Sequence, residues 1–123
     1  IDRVACDNRL SYEVIMVDDG STDGSWSVVC ELKKRYAAIR ALSFVRNYGK
    51  SAALYAGFDM ARGEVVFTMD ADLQDSPDEI PEMRRMIYNF CSVYEIDIEY
   101  VENPFIFQPH PHKNVPNYYD IYT

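Results

Sequence analysis

Apolar residues run almost unbroken through Tyr12-Glu13-Val14-Ile15-Met16-Val17, recur at helical spacing through Trp26, Val29, Leu32 and Tyr36, and alternate with polar ones through Ile39-Arg40-Ala41-Leu42-Ser43-Phe44-Val45. The first pattern predicts a strand covered on both faces, the second an amphipathic helix, the third a strand nearer the sheet edge. Before the helix, Ser21-Thr22-Asp23-Gly24-Ser25 supplies capping oxygens. Ile1, Val4, Ala5 and Asn8 sit at helical spacing, as in the tail of a helix. Leu54, Gly57, Phe58 and Ala61 stripe another helix that Gly63 stops.

Glu64-Val65-Val66-Phe67-Thr68-Met69 reads as a further buried strand. Ser76-Pro77-Asp78-Glu79 then offers a Ser N-cap, Pro at the first helical position and Glu three after the cap, with Ile80, Met83, Ile87 and Phe90 continuing an apolar stripe. Pro81 removes one first-turn donor. Alternating strands and helices predict an α/β fold: an incomplete doubly wound, mostly parallel sheet with helices on both faces and right-handed crossovers.

Punctuation changes near residue 90. All five glycines lie at or before Gly63, whereas four of the six prolines lie at or after Pro104. Cys91 to Phe107 has the composition for a strand or two, and residues 103–123 read as irregular.

With 123 residues, nearly half of them apolar, the chain has the size and composition of one folded domain. A formal charge of −8 argues against a nucleic-acid partner, which needs a basic footprint. An acidic protein that handles phosphates must supply local cations instead. Cys6, Cys30 and Cys91 are odd in number, widely spaced and without a C-x-x-C pair, so buried free thiols are expected rather than disulfides or zinc ligands. No window approaches the ~20 apolar residues of a membrane span.

The chemistry concentrates at three strand ends: Asp18-Asp19-Gly20-Ser21, Arg46-Asn47-Tyr48-Gly49-Lys50 and Asp70-Ala71-Asp72-Leu73-Gln74. In an open α/β sheet, ligands bind beyond the carboxyl ends of strands, so the three clusters are expected to form one site. Asp70 and Asp72, two apart on an extended chain, point to one side. At 4 Å and an effective dielectric near 20 their repulsion is about 4 kcal/mol, which a divalent cation relieves.

In order and wording these clusters resemble the family 2 glycosyltransferases of GT-A fold, particularly the polyprenyl-phosphate sugar synthases, the group that includes dolichyl-phosphate mannose synthase. The resemblance spans Tyr12 to about Asn89, carried by Val17-Asp18-Asp19-Gly20-Ser21-Thr22-Asp23-Gly24-Ser25, by Arg46-Asn47-Tyr48-Gly49-Lys50 with Ala53 and Gly57, and by Asp70-Ala71-Asp72-Leu73-Gln74-Asp75.

That resemblance implies an enzyme that moves a sugar, with inversion, from a UDP- or GDP-sugar to a sugar or lipid-phosphate acceptor such as a polyprenyl phosphate. It implies nucleotide-sugar contacts from Asp18, Asp19, Gly20, Ser21, Arg46, Lys50 and Asp70, with Asp18 or Asp19 at the base or ribose. Mg²⁺ or Mn²⁺ is implied on Asp70, Asp72 and Gln74, hard oxygen ligands that suit either ion. A phosphate acceptor is already ionised near neutral pH, and no catalytic base is assigned. The implied location is the cytoplasm, at the cytoplasmic face of a membrane where other segments provide peripheral association.

Family members carry an upstream strand and a Pro-x-Tyr-Asn-Glu-like segment, and their acceptor-site pattern is absent from about Phe90 onward. The expectation is therefore a partial nucleotide-sugar-binding domain over 1–89 lacking its first strand, an unrecognised tail over 90–123, and weak activity or stability of this stretch alone. A non-catalytic nucleotide-binding remnant is the alternative. A receiver-type phosphoacceptor domain would use Asp18, Asp19 and Asp70, but lacks its late strand-end Lys. A dehalogenase-type phosphatase leaves the first two clusters unexplained. His110 and His112 read as solvated tail residues, Trp26 as a packing residue, and the tail tyrosines carry no assignment.

Overall fold

A computed structural model describes residues 1–93 and 118–120. Its elements are α1 (Asp2–Asp7), β1 (Val14–Asp18), α2 (Ser25–Arg35), β2 (Ile39–Phe44), α3 (Lys50–Met60), a 3-10 turn (Pro77–Glu79), α4 (Ile80–Val93) and β3 (Tyr118–Asp120). The chain forms two compact units: one holds Glu13–Arg62 and β3, the other Ile1–Tyr12 and the chain from Gly63 through α4.

In the first unit β1 and β2 pair in parallel, in register from Val14 opposite Ile39 to Asp18 opposite Ser43. The fold is α/β: α2 lies against β2 and α3 against β1. Leu42 is fully enclosed and forms the core with Phe44, Ala56 and Met60, joined by Ile15, Val17, Tyr48, Ala52 and Ala53. Small residues on α3 allow close approach to the sheet: a Cβ on Gly57 would lie 3.5 Å from Val17 Cγ2.

Two expectations are corrected here. β2 is the central strand, in the order β1-β2-β3, rather than one nearer the edge. The reason is β3, which pairs antiparallel with it, Phe44 opposite Tyr118 and Leu42 opposite Asp120. That same strand corrects the reading of 103–123 as irregular throughout.

Below the sheet, Glu13 ties the elements together. Its carboxylate pairs with Arg40 Nη1 at 2.9 Å and accepts the Arg62 N–H at 2.6 Å, while Arg40 donates to the Met60 carbonyl at 2.6 Å. Burial pushes Glu13 upward, but the Arg40 and Arg62 interactions outweigh it and hold the carboxyl below its ordinary value.

In the second unit the expected strand at 64–69 is not formed. Val65, Phe67 and Met69 are half-buried while Glu64, Val66, Thr68 and Asp70 are exposed, so burial alternates every two residues although the backbone bends at Gly63, Glu64 and Val65. The segment has no ladder partner among the described residues, and a strand exists only through its ladder. α4 starts at Ile80, which leaves Pro81 in the tolerated first turn. The expected Ser76 cap is absent: its side chain makes no cap bond, and the Glu79 N–H goes to the Ser76 carbonyl instead. Cys91–Val93 belongs to α4, and the expected strands at 94–107 lie outside the described residues, as do His110 and His112.

All three cysteines are free, but only Cys91 is buried; Cys6 is exposed and Cys30 half-buried, which corrects the uniform burial expected of them. No helix among the described residues is long and apolar enough to cross a membrane.

Candidate functional site

The carboxyl ends of β1 and β2 meet the start of α3. Asp18 closes β1 and is 7% exposed. The parallel register sets it opposite Ser43, whose hydroxyl donates to Asp18 Oδ2 at 2.7 Å, and the Ser21 N–H approaches the same carboxylate at 3.3 Å. The β1 turn thus closes on its own strand end.

Asp19 reaches the other loop. Its Oδ1 accepts the Tyr48 N–H at 2.7 Å and its Oδ2 the Gly49 N–H at 2.9 Å. Gly49 is the N-cap of α3, so a carboxylate stands where the helix leaves amides without internal partners. Gly20, at φ +70°, completes the junction: a Cβ there would sit 2.3 Å from the Arg46 carbonyl carbon and 2.6 Å from the Asn47 nitrogen. Only a residue without a side chain fits.

Around this junction Arg46 is exposed and stacks its guanidinium over the Tyr48 ring at 4.8 Å; Tyr48 meets Phe44 edge-on at 5.7 Å. Ser21, Asn47 and Lys50 are exposed beside it in sequence. Of the predicted residues, the structure therefore brings Asp18, Asp19, Gly20 and Ser21 together with Arg46 and the start of α3. Behind the turn, the Asp23 carboxylate accepts the Ser25 N–H at 2.9 Å at the entry to α2, and the Ser25 bonds hold that carboxyl below its ordinary value.

Asp70, Asp72 and Gln74 belong to the other unit. The chain turns at Ala71-Asp72, directly after Asp70, so the two acids do not share a side by strand alternation as expected. Asp72 Oδ1 accepts the Gln74 N–H and Asp75 Oδ2 the Asp70 N–H, both at 3.0 Å. Leu73 is 97% exposed with φ +66°, a left-handed conformation that costs a branched side chain energy.

Among the described residues no three His, Cys, Asp or Glu side chains gather into a metal-holding cluster. The donor chemistry of the turn nevertheless fits a hard cation, because Mg²⁺ is held by one or two carboxylates with waters and substrate phosphates completing its shell. Asp70, Asp72 and Gln74 are all exposed oxygen donors.

What spacing alone misses is the Asp19 clamp. Two adjacent acids at a strand end look equivalent in sequence; the Gly after them is the signal that another backbone passes close by.

The sequence model of glycosyl transferase family 2 matches residues 1–122. The undecaprenyl-phosphate 4-deoxy-4-formamido-L-arabinose transferase of Aeromonas hydrophila is 48% identical over 85 residues, covering 64% of this chain and 25% of that protein. Proteins of the same description are 43% identical over 81 residues in Edwardsiella ictaluri (64% and 25%) and 45% over 74 residues in Pseudomonas aeruginosa (59% and 22%). The chain spans about a quarter of the length of these relatives.

Proposed function

Starting from the premise that the chain belongs to glycosyl transferase family 2, we propose that it is the donor-binding part of an inverting transferase that moves a sugar from a UDP- or GDP-sugar to a polyprenyl phosphate. The observation that carries the reading is the junction of Asp18-Asp19-Gly20-Ser21 with Arg46-Gly49 at the carboxyl ends of two parallel strands. Parallel α/β sheets bind nucleotides at that edge. A doubly wound GT-A sheet is the wider architecture that goes with this role.

In the proposed chemistry Arg46 and Lys50 lend positive charge to the donor diphosphate, and Ser21 offers a hydroxyl to the nucleotide. Asp70, Asp72 and Gln74 hold Mg²⁺ or Mn²⁺, which when bound neutralises the departing diphosphate. The acceptor phosphate attacks as an anion, so the chain needs no side chain to deprotonate it. A lipid acceptor brings the reaction to a membrane surface, on the cytoplasmic side where nucleotide sugars are available.

The test is calorimetric titration of UDP and GDP into the intact protein with Mn²⁺ and with chelator. Binding that requires the cation, and that falls about a hundredfold in Asp72→Ala, supports the reading; a hundredfold corresponds to about 2.7 kcal/mol. Equal binding in chelator overturns the metal role, and no nucleotide binding at all overturns the function.

A further inference from the structure

The turn after Asp70 sets an apolar side chain among oxygen donors, and we infer that Leu73 is a specificity-determining residue for the acceptor: its side chain receives the hydrocarbon next to the phosphate of a polyprenyl phosphate. An exposed leucine by itself calls for no explanation. This one is 97% exposed and is also held at φ +66°, so it buries nothing of its own fold and occupies a backbone region that disfavours a branched side chain. Asn or Gly would close the same turn at lower cost. Strain of this kind persists where the surroundings impose it. Two carboxylates do so here: Asp72 accepts the Gln74 N–H across Leu73, and Asp75 accepts the Asp70 N–H, both at 3.0 Å.

The neighbours of the leucine say which ligand suits it. Asp72 and Gln74, on either side of it, are exposed oxygen donors, so three consecutive residues offer hard oxygens, an apolar surface and oxygen again. A free sugar is polar all round and gains nothing from Leu73. A lipid phosphate has a charged end bonded directly to hydrocarbon and meets both kinds of group within one turn.

The inference rests on the role proposed for Asp70, Asp72 and Gln74 toward the donor diphosphate, and the reaction then brings the acceptor to the same place. An acceptor phosphate oxygen forms its bond to the anomeric carbon as that carbon's bond to the diphosphate breaks, and the electron pair leaves with the nucleoside diphosphate. Attacking oxygen and departing diphosphate flank one carbon, so the head of the acceptor comes close to whatever holds the diphosphate.

The test titrates farnesyl phosphate and inorganic phosphate, each with Mn²⁺, into the intact protein and into its Leu73→Asn and Leu73→Met variants. Leu73→Asn relieves the left-handed strain, so a loss of binding in it is not a loss of fold. The unsubstituted protein is expected to prefer farnesyl phosphate by at least about tenfold, the order of burying part of a leucine side chain. Leu73→Asn is expected to lose that preference while holding inorganic phosphate within about twofold, and Leu73→Met to keep it. Equal affinity of Leu73→Asn and unsubstituted protein for farnesyl phosphate overturns the assignment, as does an equal loss for inorganic phosphate or an equal loss in Leu73→Met.

UDP and GDP with Mn²⁺, titrated into the same samples, separate this inference from the functional reading. Nucleotide binding without a preference for farnesyl phosphate overturns the role of Leu73 alone. Absence of nucleotide binding overturns the functional reading, and the comparison of farnesyl with inorganic phosphate still decides whether Leu73 receives hydrocarbon.

Discussion

Two acidic loops in this chain look alike in sequence and are built in opposite ways. At Asp18-Asp19 every carboxylate oxygen has a neighbour from its own fold: Ser43 and the Ser21 amide for one residue, the Tyr48 and Gly49 amides for the other. At Asp70–Asp72 the acids are exposed on a tight turn, where the Asp70 N–H bonds Asp75 and Asp72 accepts the Gln74 N–H. The comparison teaches that paired acids at a strand end divide into those that hold loops and those that offer oxygens outward. Burial and amide partners tell them apart where spacing does not.

The hardest blow to the junction is Gly20→Ala. Overlap with the Arg46 backbone adds to a left-handed φ, and a loss of about 3 kcal/mol is expected in urea unfolding. Gly24→Ala, where a Cβ meets nothing within 4 Å, serves as the control and should stay within about 0.5 kcal/mol.

Next comes the contrast between the acids themselves. Asp18→Ala removes a buried carboxylate together with its bonds to the half-buried Ser43 hydroxyl and the Ser21 N–H, and should cost about 1–3 kcal/mol of stability. Asp72→Ala should change stability by less than about 0.5 kcal/mol while weakening cation-dependent nucleotide binding about a hundredfold. A stability loss at Asp72 equal to that at Asp18 would erase the distinction between the loops.

A smaller effect is expected at the outward turn. Leu73→Asn replaces a branched side chain with one that tolerates the left-handed region, and should raise stability by about 0.5–1 kcal/mol. The same thermal or urea curve reads it.

The least of the effects is pH-dependent. Glu13 sits below its ordinary value in the folded protein, so its contribution is fully present above the unfolded value near 4.5 and fades as pH falls through the folded one. Glu13→Gln should therefore be less stable than the unsubstituted protein at pH 7, by no more than about 1 kcal/mol, with the gap closing below pH 4.5. A constant gap from pH 7 to 3 would show that packing, not charge, accounts for it.

Much of the local architecture could be read in advance. Periodicity located β1, α2, β2, α3 and α4 because each follows from its own residues, and the three polar clusters carried the family. Position within the sheet could not be read that way. β2 becomes central because Tyr118–Asp120 pairs with it from far along the chain, and the apolar run at 64–69 does not say whether a neighbour completes a ladder. The Ser76 cap failed for a similar reason: Pro77–Glu79 winds as a 3-10 turn, and its Glu79 amide takes the Ser76 carbonyl rather than the side chain. Which backbone amides an acid holds depends on which loop passes over it, as the Tyr48 and Gly49 amides do at Asp19.

One strand also fixes the reach of its helix. Asp19, just past the end of β1, grips the amides before α3, and Glu13, just ahead of β1, grips the Arg62 amide after it. At about 3.3 Å per residue the stretch Glu13 to Asp19 measures roughly 20 Å. Gly49 to Arg62 at about 1.5 Å per residue measures nearly the same. β1 is thus a gauge block for α3: adding or deleting one residue in either would leave one grip out of reach, and length variation in this part of the chain has to fall in the connecting loops.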